Sequence, residues 1–344
     1  PKVIRFNTRD PAQYKNPSMR GPPEAVPPDP FSLFIFNVFC DTIESVIIET
    51  EGVEMKILLV RAISAGLKTL LLLVSTLALV SVPATEAQAQ PDYLSDRGEG
   101  VSLSMFGTYI EQGQFIIYPF VEYYKDKDME YDPGEFGYGP EGTDYFGEYE
   151  ASEALIFLGY GLTDDIALEF EAAVIDARLD KDSSDSSGMP DRIEESGLGD
   201  VEGQVRWRFA RESESRPEVF TYFETVLPSQ KDKLLIGTSD WEFKLGFGVI
   251  KGFEFGTITI RLAAAYDRAE DESEFGEYAI EYLKRISDKH RVFLMIEGEQ
   301  DEVEFVPEWQ WHVRSDLVVK GNLGFALTPK ATDFAPEFGV MFIF

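Results

Sequence analysis

The sequence predicts an all-β protein, a closed antiparallel transmembrane β-barrel of about twelve strands over residues 114–344, preceded by a signal peptide. Three observations carry this expectation. An export leader ends near residue 89. The segments that follow it alternate apolar and polar residues with period two, roughly ten residues at a time. The connections between those segments alternate between long and short.

The leader begins at Met55. Lys56, Arg61 and Lys68 form a basic head, residues 70–82 (LLLLVSTLALVSV) carry no charge, and Ala87-Gln88-Ala89 is an A-x-A cleavage site. An apolar run this short falls well below the roughly 20 residues that a membrane-spanning helix needs. Cleavage after Ala89 would start the mature chain at Gln90. Residues 1–54 lie ahead of this leader and are rich in proline (Pro17, Pro22, Pro23, Pro27, Pro28, Pro30), so they are expected to stay outside the fold. Residues 90–113 contain glycine but no clear strand pattern, and are expected to form a periplasmic segment or a plug.

The strands are clearest toward the end of the chain. Phe334, Pro336, Phe338, Val340, Phe342 and Phe344 share one face, with Ala335, Glu337, Gly339, Met341 and Ile343 on the other. Leu317 to Leu327, Val303 to Val313, Trp241 to Val249 and Val201 to Phe209 alternate in the same way. The strands are expected at 114–124, 151–160, 165–178, 199–209, 217–228, 240–250, 253–266, 275–286, 290–300, 302–314, 317–328 and 334–344. The number is even, as in single-chain bacterial barrels. With the N-terminus in the periplasm, the connections 125–150 and 179–198 fall outside and the short ones (161–164, 287–289, 315–316) fall inside. Trp207, Trp241, Trp309 and Trp311 all sit on apolar faces near strand ends, as aromatic girdles do.

Charge narrows the function. The chain carries −31; residues 1–89 hold 8 Lys/Arg and 9 Asp/Glu, which leaves 23 basic and 53 acidic residues and a net −30 beyond them. Such a surface repels phosphate backbones, so no nucleic-acid partner is expected. The only cysteine, Cys40, lies in the excluded stretch, which removes disulfides, thiolate metal sites and a Cys nucleophile.

Three segments carry a family resemblance: GYGLTDDIALEFE (Gly159 to Glu171), SGLGDVEGQVRWRF (Ser196 to Phe209) and ETVLPSQ (from Glu224). Their order resembles the outer-membrane transporter family named for the meta-pathway of phenol degradation, over most of residues 114–344. The chain departs from that pattern after the third strand, where Val174 to Leu179 runs into an acidic loop, and after Pro228, where the usual glycine is missing. The resemblance implies an outer-membrane barrel that passes small solutes, aromatic or hydrophobic ones among them. A last strand ending in Phe344 resembles the signal by which outer-membrane proteins engage their assembly machinery. The expected partners are therefore outer-membrane lipid, that machinery and a small-molecule solute, with no cofactor. The glycines also have a local reading. Gly161 is expected to supply a positive φ to a tight turn, and Gly197 and Gly199 to mark a bulge where a long loop re-enters the wall.

In a membrane barrel the face opposite the lipid lines the lumen. Parity assigns to it Glu169, Glu171, Glu202, Gln204, Arg206, Arg208, Glu242, Lys244, Arg261, Glu297, Glu304, Glu308, Gln310, His312, Lys320 and Asn322. Two readings stay open: an ion-lined pathway whose surplus acid favours cations, or a salt-bridge network that fills a small barrel. The acidic runs Asp126–Asp132 and Asp180–Asp185 are expected to be solvated loops. The second fails the calcium-loop pattern, having Asp185 where glycine is required, and no metal site is expected. Nor is enzymatic activity. There is no G-x-S-x-G or H-E-x-x-H, and the two histidines, His290 and His312, lie far from where a lipid-cleaving site would sit.

Overall fold

The computed structural model describes residues 95–139, 142–230, 232–267, 272–299 and 302–344. The leader with Ala87 and Ala89, the stretch 1–54 and residues 90–94 lie outside them. Two short strands, β1 (Val101–Ser102) and β2 (Tyr109–Ile110), pair with each other. Twelve longer strands follow: β3 (Phe115–Tyr131), β4 (Tyr145–Thr163), β5 (Ile166–Asp180), β6 (Arg192–Ala210), β7 (Glu218–Leu227), β8 (Glu242–Phe253), β9 (Gly256–Asp267), β10 (Glu272–Arg285), β11 (His290–Glu299), β12 (Glu302–Arg314), β13 (Leu317–Ala326) and β14 (Phe334–Ile343). Each is antiparallel to the next, and β14 returns to β3, so the sheet closes. Phe344 and Phe115 exchange backbone N–H···O bonds at 2.8 and 3.0 Å across that seam. Closure leaves no unpaired edge for another chain to extend.

The period-two pattern becomes an inside and an outside. Leu245, Phe247, Ile260, Leu262, Ile280 and Phe338 are exposed on the outer wall. Their neighbours Gly246, Gly248, Arg261, Ala263, Ala279 and Gly339 are buried within it. A wall of exposed apolar side chains is stable against hydrocarbon. Trp207, Trp309 and Trp311 stand on this wall near the short turns; Trp309 donates its indole N–H to His290 Nδ1 at 3.1 Å. Near the long-loop end, Trp241, Phe243 and Tyr266 stack in sequence. Because Leu262 sits mid-strand on the outer wall, Leu262→Lys should destabilise the barrel by about 2–4 kcal/mol, although one residue away Arg261 is accommodated. Urea unfolding from lipid vesicles measures this, and an unchanged midpoint would mean that this face does not meet lipid.

The acidic outer connections differ from expectation. β3 to β6 run 17, 19, 15 and 19 residues, well beyond the roughly 9–11 that cross a bilayer. Asp126, Asp128, Glu130 and Asp180 are therefore strand residues, and the loops shrink to 132–144 and 181–191. Beyond the bilayer the backbone ladder continues, but neither face needs to be apolar, so the alternation that reveals a strand fades. These hairpins are not simply solvated. Tyr131, Leu179, Met189 and Ile193 are buried with Phe136, Tyr138 and Tyr145 packed on them. Asp185 accepts from Tyr131 Oη at 3.2 Å and lies 3.7 Å from Lys181 Nζ.

Gly161 also differs in its reason. It is not among the positive-φ glycines. A Cβ there would overlap the carbonyl oxygen of Glu111, so glycine is needed for close approach of the N-terminal backbone. Gly197 and Gly199 border a register shift opposite Ala172/Val174, a bulge as expected at that point.

Candidate functional site

The site is the barrel interior at the short-turn end, where residues 95–114 lie against inward-facing side chains. Arg97, 1% exposed, reaches Glu212 at 2.6 Å and Glu218 at 3.4 Å. Arg208 Nη1 donates to the carbonyls of Glu99 (2.9 Å) and Gly100 (2.7 Å). Ser104 donates its backbone N–H to Glu169 at 2.9 Å, and its hydroxyl bonds the same oxygen. The carbonyl of Phe106 accepts from Gln310 Nε2 at 2.9 Å and Lys320 Nζ at 3.0 Å. Its ring stacks on Phe293 with centroids 5.4 Å apart. Asp96 takes the backbone N–H of Arg285 at 2.9 Å and lies 3.3 Å from Lys284 Nζ. Val101, Leu103 and Ile110 are buried with Ile116, Phe157 and Val318 of the wall. The segment thus touches opposite sides of the lumen, held by backbone carbonyls as much as by side chains. Gly107 (φ 56°) turns the chain within it, where a Cβ would come to about 3.0 Å from Gln310 and Leu283.

The inward charges form pairs at successive depths. Next to the segment are Arg206–Glu169 (3.2 Å) and Lys320–Glu308 (3.2 Å), all nearly inaccessible. Arg206 also sits 5.0 Å over the rings of Phe220 and Tyr222. Further along, Arg261 binds Glu281 at 2.5 Å, contacts Glu277 and lies 3.6 Å from Glu297. Lys244 bridges Glu224 and Glu277, each at 3.4 Å. Gln204 donates to Glu224 at 2.6 Å. Beyond these, acid dominates. Glu308, Asn322, Glu337, Glu122 and Glu153 are direct cross-strand partners over five adjacent strands, and Glu171 pairs with Glu202. Asn322 and Tyr118 donate to Glu337 at 2.8 and 2.5 Å. Among the described residues, no Lys or Arg lies within ion-pair distance of Glu122, Glu153, Glu171 or Glu202. Like charges directly opposite across a sheet repel, so this arc crowds carboxyl groups together inside the barrel.

The register places each residue assigned by parity on the inward side. Glu169, Gln204, Arg206, Arg208, Arg261, Glu308, Gln310, Lys320 and Asn322 are buried there. Glu171, Glu202, Lys244, Glu297, Glu304 and His312 are half-buried on the same faces, and Glu242 opens β8 with the parity of Lys244. Glu304 accepts from the Thr332 backbone N–H at 3.2 Å. Sequence reasoning missed Glu122, Glu153, Glu224, Glu277, Glu281, Glu337 and Tyr118. Alternation could have found them, since Glu337 stood on the inward face of the clearest strand. Strands β3, β4 and β10 mix aromatic and acidic residues on both faces, which blurs their phase. Apolar side chains interleave with these acids on β3 to β5: Phe120, Leu155, Ala173 and Ile175 join Ile236 of the 228–241 loop in one cluster. That loop is pinned inward by Ser229 on Gly199 O (2.7 Å) and Gln230 on Leu198 O (2.8 Å).

With this geometry, known structures can be compared. The barrel superposes on the COG4313 outer membrane channel from Pseudomonas putida F1 with TM-score 0.51 and 15% identity, over 71% of this chain and 100% of that one. The fold is that of an outer-membrane barrel. The KdgM porin in complex with disordered oligogalacturonate gives TM-score 0.42 at 7% identity, over 66% of this chain and 98% of that one. The translocator domain of autotransporter NalP from Neisseria meningitidis gives 0.42 at 8% identity, over 68% and 89%. No protein-family model matches the chain, and no curated protein does.

Outside the interior, Asp126, Asp128 and Asp333 bring carboxylate oxygens within 4.8 Å of one another. Asp126 already accepts from the Asp128 backbone at 3.0 Å, and Lys127 lies 3.8 Å from Asp333. At the opposite end, Asp165 in the β4–β5 turn takes Arg211 at 2.7 and 2.9 Å and Arg208 at 3.1 Å. Arg211 first, and then Arg208, hold its carboxyl below the usual carboxylate range. Its contribution to stability is therefore complete above the unfolded value of about 3.8 and is lost as pH falls through the lower folded value. Asp165→Asn should flatten that part of an acid-unfolding profile, and an identical profile would mean that the pair adds nothing.

Proposed function

We propose that this protein is an outer-membrane channel for passive uptake of small solutes, closed at rest by its own N-terminal segment. The observation that carries the reading is residues 95–114 lying across the lumen, tied to opposite walls by Arg97, Arg208, Gln310 and Lys320. A barrel that served only as a rigid scaffold could fill its interior with side chains and would need no separate chain segment. Small solutes with an apolar or aromatic part fit best. The wall formed by Phe120, Leu155, Ala173 and Ile175 gives them a surface, and the carboxyls of Glu122, Glu153 and Glu171 beside it on the same strands disfavour anions. The long loops lie at the cell surface and the short turns in the periplasm.

Purified protein in planar bilayers, with a salt gradient across them, tests this. The expected record is mostly closed, with brief openings that prefer cations. In liposomes the protein should admit a small aromatic solute faster than a sugar of similar size. A permanently silent barrel that stays closed in plug-destabilised variants would favour the second reading, a non-conducting surface-interaction barrel. The folded aromatic cluster of the outer hairpins speaks for that alternative.

A further inference from the structure

We infer that the short-turn mouth of the barrel holds a binding site for a small oxyanion, a carboxylate or a phosphate, between the wall and the N-terminal segment. A cavity of about 160 Å³ lies there, bounded by Gly98 and Gly100 of the segment and by Arg291, His312 and Lys320 of the wall. One water needs roughly 10–15 Å³ of such space, so a small anion fits with solvent to spare. The two glycines leave room on the segment's side, which Thr108, Tyr109 and Gln114 complete.

Arg291 points inward because His290, next to it, packs outward on Trp309 and Trp311. Its cross-strand partner Gln310 faces the lumen and holds Phe106. Among the described residues no carboxylate lies within ion-pair distance of Arg291. The inward cations Arg97, Arg206, Arg208, Lys244, Arg261 and Lys320 each have one. In a chain with 62 acidic residues this exception marks a position where acid was kept away. His312 adds a second observation, since its Nε2 is buried and has no hydrogen-bond partner among the described residues. The acids nearby do not fill the role. Asp96 is held by Arg285 and Lys284, Glu308 by Lys320 and Gln310, and Glu111 on the lining is exposed.

A half-buried guanidinium without a partner is costly, and its planar fork suits two oxygens of one carboxylate or phosphate. His312 and Lys320 supply a second direction of approach. An anion bound here touches both wall and segment, so it favours the docked segment over a displaced one. The site is independent of whether the barrel conducts.

Isothermal titration of the full chain in detergent, with inorganic phosphate and separately with acetate at fixed ionic strength, tests the site and separates the two classes. Saturable binding of at least one is expected. Arg291→Gln should weaken it about tenfold or more, while Arg192→Gln, at the long-loop end beside Asp180, should leave it unchanged. Arg291→Lys keeps the charge but loses the fork, and should fall between. Heat-modifiable migration on unboiled gels reports whether each variant has folded. Absence of saturable binding to the folded parent, or equal binding by folded Arg291→Gln and the parent, overturns the assignment.

Discussion

Deleting residues 95–110 raises the single-channel conductance at least several-fold and lengthens the open state. The segment occupies the interior beside the Arg206–Glu169 and Lys320–Glu308 pairs, and nothing else among the described residues crosses the lumen at that depth. Its attachments include hydrogen bonds to its own carbonyls, each worth about 1.5–3 kcal/mol where the donor is charged. The barrel ladder does not depend on it, since β3 to β14 pair with one another without it. Gly161→Val provides a gentler version. The added side chain would collide with Glu111, forcing the end of the segment off the wall while every other residue stays in place. Both variants should open. If both give parent-level current while remaining folded, the segment is not the barrier and the proposed resting closure is wrong.

The largest effect on stability is expected from Lys320→Met. Lys320 is 1% exposed and its partner Glu308 is fully buried, 3.2 Å away. Removing the ammonium leaves a buried carboxylate without its cation and the Phe106 carbonyl with one donor fewer. Breaking one side of such a pair costs about 3–5 kcal/mol. Replacing both partners at once, with Lys320→Met and Glu308→Met together, should recover most of the loss, because no charge is then stranded. The checks are the urea midpoint in lipid vesicles and the temperature of the gel shift in unboiled samples. A single variant as stable as the parent would show that Glu308 is not charged in the folded barrel. A double variant as unstable as the single would show that packing around Phe106 and Tyr118 is what Lys320 provides.

The barrel, its strand number and the inward face of the clearly alternating strands are legible residue by residue in the sequence. Alternation is a local property, enforced on every membrane-crossing residue by contact with lipid on one side, so Phe338 and Glu337 announce their sides without knowledge of their neighbours. For the same reason, the inward assignments of Arg206, Arg261, Lys320 and Asn322 could be made strand by strand. Which of those residues meet is set by strand register and barrel closure. Register sets Glu337 opposite Glu122 and Glu122 opposite Glu153, turning scattered carboxylates into an arc. Docking of the N-terminal segment inside the closed sheet brings Arg97 to Glu212 across a sequence separation of 115 residues. Where lipid contact ends, the local signal ends too, so the outer lengths of β3 to β6 and their aromatic cluster went unread. The N-terminal segment was invisible as structure for a related reason. It has no periodicity of its own, because its ladder is only two residues long, β1 with β2, and Arg208, Gln310 and Lys320 of the wall satisfy other backbone groups.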